Sequence, residues 1–221
     1  MSMGMTSAPR VVTKEVPSWR LVAMMTAAGA LAGLLIVTAF QVTLPRIQHH
    51  QGEVMQLAIQ EVLKSPAHFD TLYLQNGALV KKLPAGVSQK GIEKVYLGYD
   101  ASGKRIGFAV SAAENGFQDL VTLMFGYDAA KHRLIAMKVI ANKETPGLGD
   151  KIEKDPKFGN GFADVTAPIK GVKSGGGEKS ANDVVMITGA TISSRAVIRI
   201  INNAITRWQP LMDAYREESK S

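Results

Sequence analysis

The sequence predicts an α+β protein: one N-terminal transmembrane helix followed by an extracytoplasmic domain with an antiparallel sheet and flanking helices. Three observations carry that expectation. An uncharged apolar run lies near the N-terminus, segments of strand period occupy the middle, and a strongly amphipathic helical pattern comes near the end. Composition narrows the chemistry. The 221 residues include no cysteine, which excludes thiolate-held iron–sulfur clusters, Cys-based zinc sites, c-type haem, disulfides and cysteine nucleophiles. Any redox centre must be held by other means. Lys+Arg number 26 against Asp+Glu 19, a net charge of +7. Without an RNA- or DNA-reading motif, that charge reads as affinity for anions or a membrane surface and not for nucleic acid.

The apolar run LVAMMTAAGALAGLLIVTAFQVTL fills residues 21–44. As a helix it is about 36 Å long at ~1.5 Å per residue, against a hydrocarbon thickness of ~30 Å. A cleaved signal peptide has a shorter apolar region and a small-x-small cleavage site, and Val42-Thr43-Leu44-Pro45-Arg46 offers none. The run is therefore read as an uncleaved anchor. Arg10, Lys14 and Arg20 against Glu15 give the preceding tail +2, leaving +5 for the rest. Basic flanks favour the cytoplasmic side, so residues 1–20 form a cytoplasmic tail of an inner-membrane protein and residues 46 onward are periplasmic or otherwise extracytoplasmic.

Residues 45–90 read as a membrane-proximal helical segment. Val54, Leu57, Ala58, Val62 and Leu63 recur at helical spacing, and Pro66 closes the pattern. From Gly91 the period changes. VYLGYD and RIGFAV flank the turn Ala101-Ser102-Gly103-Lys104 as a hairpin, and LVTLMFG and LIAMKVI form a second pair across Tyr127 to Arg133. Lys170 to Ser180, rich in Gly, Ser and Lys, reads as an exposed loop without P-loop spacing. Val197, Ile200, Ile201, Ala204, Ile205 and Trp208 then make one apolar helix stripe, which Pro210 ends or kinks. The main domain is thus expected at 91–210 and a polar tail at 211–221.

Two segments are candidates for chemistry. Thr188-Gly189-Ala190-Thr191 leads into that helix, where free backbone N–H groups and the positive helix end suit a phosphate, with Arg195 able to add a charged contact. The alternative is an ordinary helix start capped by Ser193 or Ser194. The second segment, Glu144-Thr145-Pro146-Gly147-Leu148-Gly149-Asp150, follows the last strand pattern. Its small residues let backbone amides approach a flat ligand, and Glu144 can accept hydrogen bonds; a plain connecting loop is the alternative. His49-His50 has the wrong spacing to converge on one metal ion. Asp150, Glu153 and Asp155, interleaved with Lys151 and Lys154, read as a solvated charged face. No catalytic or metal-ligating set is assigned.

Together, ETPGLGDKIE (Glu144 to Glu153) and TGAT (Thr188 to Thr191) make the chain resemble the G subunit of the Rnf electron-transport complex. More broadly it resembles the FMN-binding domain shared with the C subunit of the sodium-translocating NADH:quinone reductase, Nqr. The resemblance implies FMN attached by a flavin transferase, through a phosphodiester, to the last threonine of the motif, here Thr191. It places Glu144, Thr145, Gly147 and Leu148 against the isoalloxazine ring; Gly189 and Ala190 are small enough to let the transferase reach Thr191, and Thr188 and Arg195 complete the candidate cofactor-binding residues. It further implies partner subunits that exchange electrons between ferredoxin and NAD and couple this to ion transport. Some positions depart from the family pattern. Val185 stands where an acid is usual, Asn142 where a histidine is frequent, and Gly116-Phe117-Gln118-Asp119 where a GYSG-like segment is usual. The expected tuning device is positive charge or N–H density near the flavin's N1–O2 edge. An Nqr-type subunit, a stand-alone FMN carrier and a non-redox membrane-anchored binding module are the competing readings.

Overall fold

The computed structural model describes residues 17–84, 86, 88, 91–175 and 180–215. Arg10, Lys14 and Glu15, on which the orientation argument rests, lie outside the described residues, as do 176–179 of the Gly-rich segment and 216–221 of the expected tail. The chain divides into two compact units, residues 1–51 and 52–221.

Helix α1 runs Ser18–Val62 and is long and apolar enough to cross a membrane. Its N-terminal portion exposes large apolar side chains all round, among them Leu34, Ile36 and Phe40. A helix apolar on every side has no polar face to give to water. The hydroxyls of Thr26, Thr38 and Thr43 bond to carbonyls of Val22, Leu34 and Ala39 one turn earlier, so these polar groups are satisfied within the helix.

The second unit is built on a six-stranded antiparallel sheet in the order β2-β1-β3-β4-β5-β6. Its strands are β1 His68–Gln75, β2 Ala78–Val80, β3 Lys94–Tyr99, β4 Arg105–Asn115, β5 Leu120–Asp128 and β6 Arg133–Ala141. The two expected hairpins are present as β3–β4 and β5–β6. Asp100 closes the first, its Oδ1 accepting from Ser102 and Lys104 N–H. Residues 68–80, placed at the sequence level in a helical segment, instead form β1 and β2. Only Leu72 of β1 is buried, so strand alternation is weak there, although Asn76-Gly77 is a hairpin turn pair.

Alternating side chains pack both faces of the sheet. Val95, Leu97, Val110, Leu123 and Phe125 meet the C-terminal helix α4, Thr191–Ala214, while Tyr96, Ala109 and Met124 meet Ala58, Ile59, Val62 and Leu63 at the end of α1. Gly126 makes this second contact possible: a Cβ there would lie 2.1 Å from the Val62 carbonyl oxygen. Pro210 neither ends nor excludes α4, and Met212 and Tyr215, assigned to a polar tail, are buried in the main core. Short helices α2 Lys151–Lys154 and α3 Pro156–Asn160 follow β6. Lys170–Val172, expected as loop, is strand β7 and pairs in parallel with β8 Asp183–Val185. Asn202 of α4 holds it, accepting from Ile169 N–H at 2.8 Å and donating to Ile169 O at 2.9 Å.

Candidate functional site

Three segments far apart in sequence converge at the start of α4. The first is the turn between β4 and β5, where Gly116 N–H donates to Asp119 O and Arg199 of α4 donates to Glu114 and to the Asn115 carbonyl. The second is the loop after β6, which passes through Glu144 to Gly149 and winds into α2. The third is the passage from β8 into α4.

Glu144 ties them together. Its Oε1 accepts from the backbone N–H groups of Phe117 (2.8 Å) and Gln118 (3.2 Å), and its Oε2 accepts from the Ser193 hydroxyl at 2.7 Å. The side chain is only 5% exposed. Close approach depends on glycine: a Cβ on Gly149 would lie 2.6 Å from Glu144 Oε2 and 2.9 Å from Ser193 Oγ, and one on Gly116 would lie 2.3 Å from Glu144 Oε1. Thr145 adds a cross-link, its hydroxyl donating to Gln118 Oε1 at 3.0 Å.

The helix start differs from the capped alternative. Ala190 is the N-cap, and among the described residues no side chain caps the helix. Ser193 and Ser194 lie inside the first turn, both buried: Ser193 donates to Glu144, and Ser194 Oγ accepts from Ile187 N–H behind the turn. An uncapped start leaves first-turn N–H groups without intrahelical acceptors, at the positive end of the helix dipole. Gly189, at φ +84°, makes the turn that delivers Thr191 to that position.

The result is a cleft of about 290 Å³ lined by Glu144, Thr145, Leu148, Gly189, Ala190 and Thr191, completed by Phe117, Gly149, Ile192 and Ser193. Of the remaining expected residues, Thr188 lines a neighbouring cleft with Lys151, Lys154, Lys157 and Val185, while Gly147 and Arg195 are exposed outside both. Phe117, Leu148 and Ile192 are 64%, 51% and 56% exposed. Such a collar of large apolar side chains suits a flat, partly apolar ligand. Phe117, Gly149, Ile192 and Ser193 are not among the cofactor-binding residues expected from the sequence. The exposed aromatic in a turn was the available sign for Phe117, whereas Ser193 was hidden by its resemblance to a cap.

Asp150 corrects the expectation of a solvated charged face. It is 7% exposed, and its Oδ2 pairs with Lys154 Nζ at 2.6 Å. The hydrogen bond from Lys154 holds its carboxyl below the ordinary value. A larger cleft, about 430 Å³, lies along α4 beside Tyr96 and Trp208, where Arg207 pairs with Glu93, Asn203 donates to Glu114 and the Lys94 ammonium sits over the Tyr96 ring.

The family model for the FMN-binding domain matches residues 116–206, which contain every residue lining the smaller cleft. The G subunit of the ion-translocating oxidoreductase complex of Pseudomonas aeruginosa is 31% identical over 199 residues, covering 85% of this chain and 86% of that protein. The chain belongs to this family of G subunits. Another member, the G subunit of the Na(+)-translocating ferredoxin:NAD(+) oxidoreductase complex of Acetobacterium woodii, is 27% identical over 189 residues, covering 82% of this chain and 87% of that one. The crystal structure of NqrC from Shewanella oneidensis shares the fold, with a TM-score of 0.61 at 16% identity over 75% of this chain and 98% of that chain. In this member of the G family, the matched region begins at Gly116, so strands β1 to β4 lie before it.

Proposed function

We propose that the chain is the membrane-anchored, FMN-carrying G subunit of an Rnf-type ion-translocating electron-transport complex. FMN is joined to the Thr191 hydroxyl by a phosphodiester, and a flavin transferase makes the bond. The observation that carries this reading is that Thr191 opens an uncapped α4 within the cleft walled by the Glu144–Gly149 loop. The residues fit the group. The first-turn N–H groups suit phosphoryl oxygens, the small Gly189 and Ala190 leave room beside the hydroxyl, and Phe117, Leu148 and Ile192 offer apolar walls for the ring. When bound, FMN supplies two-electron and one-electron transfer. The protein binds it, orients it and fixes the charge around it.

Helix α1 anchors the protein in the cytoplasmic membrane with the N-terminus inside and residues 46 onward on the extracytoplasmic side, in line with the basic flank. Its partners are the other subunits of the complex, which exchange electrons between ferredoxin and NAD. The decisive test is co-expression with a flavin transferase followed by denaturing electrophoresis. Wild type and Thr188→Ala are expected to keep in-gel flavin fluorescence, and Thr191→Ala to lose all of it. Fluorescence retained by Thr191→Ala overturns the attachment.

A further inference from the structure

Glu144 is the only ionisable side chain lining the cleft among the described residues. Its neighbour in sequence, Lys143, is 82% exposed and pairs with Asp119 at 3.1 Å, so that cation is already engaged elsewhere. All three side-chain contacts of Glu144 come from uncharged donors, two backbone N–H groups and one hydroxyl. These donors hold the carboxylate in place without cancelling its charge. The expected tuning device was positive charge or N–H density near the flavin's N1–O2 edge; the ionisable side chain that lines the cleft is an acid.

The geometry points to Glu144 as a positioning residue with two roles. It locks the first turn of α4 against the Phe117 turn, and its charge lowers the reduction potential of the group held in the cleft. This rests on the FMN reading above. Two electrons and one proton delivered to the cleft leave it one net negative charge richer. A carboxylate in a wall from which water is largely excluded opposes that added charge. Reduction therefore becomes harder, and the reduced centre becomes a stronger donor to the next carrier. Through Ser193 the same carboxylate faces the positive end of α4, offsetting part of the field that would favour the reduced state.

Glu144→Gln separates charge from shape. One carboxamide oxygen can accept from both Phe117 and Gln118 N–H, and the amide can donate to Ser193 Oγ, so the brace survives while the charge is lost. The test uses full-length protein loaded by co-expression with a flavin transferase, with midpoint potentials read by spectroscopic redox titration. Glu144→Gln is expected to load like wild type and to shift the midpoint to more positive potential. Glu153→Gln, which removes an exposed charge, leaves it in place. In unloaded full-length protein, Glu144→Ala is expected to speed amide hydrogen exchange over residues 191–195, and Glu144→Gln to leave it as in wild type. An unchanged midpoint in loaded Glu144→Gln overturns the proposal while leaving attachment at Thr191 standing. So does a Glu144→Gln protein that no longer loads, since the carboxamide reproduces the brace, or unchanged exchange in Glu144→Ala. Wild type that takes up no flavin overturns both readings.

Discussion

Glu144 and Asp150 occupy the two ends of one loop and are almost equally buried, yet they are satisfied in opposite ways. Glu144 draws on donors from the β4–β5 turn and from α4, far away in sequence, and none of those donors is charged. Asp150 draws on Lys154, one helical turn onward, while its Oδ1 has no hydrogen-bond partner among the described residues. The first acid therefore organises a site between distant segments. The second organises only the local turn into α2. Burial alone does not distinguish them; the origin of the donors does.

Breaking the Glu144 side should have the largest effect. Glu144→Ala leaves two backbone N–H groups and the Ser193 hydroxyl without their acceptor. At about 1–3 kcal/mol for each buried donor left unpaired, and with water reaching the exposed Phe117 turn, a loss of roughly 2–4 kcal/mol is expected in urea unfolding of the full-length protein. Gly149→Ala attacks the same brace by crowding, with an expected cost of about 1–3 kcal/mol. Because both variants disrupt one contact, their combination should cost less than the sum. Additive losses would show that Gly149 and Glu144 act independently.

The Asp150 side predicts a pH signature. The Lys154 hydrogen bond lowers the folded-state value below the ordinary 3.8, so the stabilisation is fully present above about that pH and is lost as pH falls through the lower folded value. Asp150→Asn should lower the neutral-pH Tm and flatten the dependence of Tm on pH between roughly pH 5 and 3 relative to wild type. A wild-type slope in this variant would remove Asp150 from the acid transition. Lys154→Met should have the smallest effect. Lys154 is 69% exposed, so a slight Tm decrease at low ionic strength should vanish at about 1 M salt.

The central hairpins were legible in the sequence because β3 to β6 are short, largely apolar runs separated by recognisable turns; β3 and β5 are buried at almost every position because both faces of the sheet are covered. Strand β1 was not legible, because it buries so little that alternation carries no signal; it is held by its ladder to β3. Strand β7 was hidden by a Lys- and Gly-rich composition typical of loops, and its place depends on Asn202, more than thirty residues away. At the site, the sequence marked both loops that form the cleft. It could not show that Ser193 faces Glu144 across the fold in place of capping its own helix.

The sequence by itself determined the apolar span, the two central hairpins, the amphipathic face of α4 and the hydroxyl-bearing start of that helix, since each is written in local periodicity or in a short motif. Tertiary structure alone decided that Glu144 is a buried acceptor and that Phe117 and Ile192 join Leu148 around the cleft. The physical reason is that hydrogen-bond satisfaction and desolvation depend on which distant segments meet. A charge placed among neutral donors can be recognised only after the chain has brought those donors together.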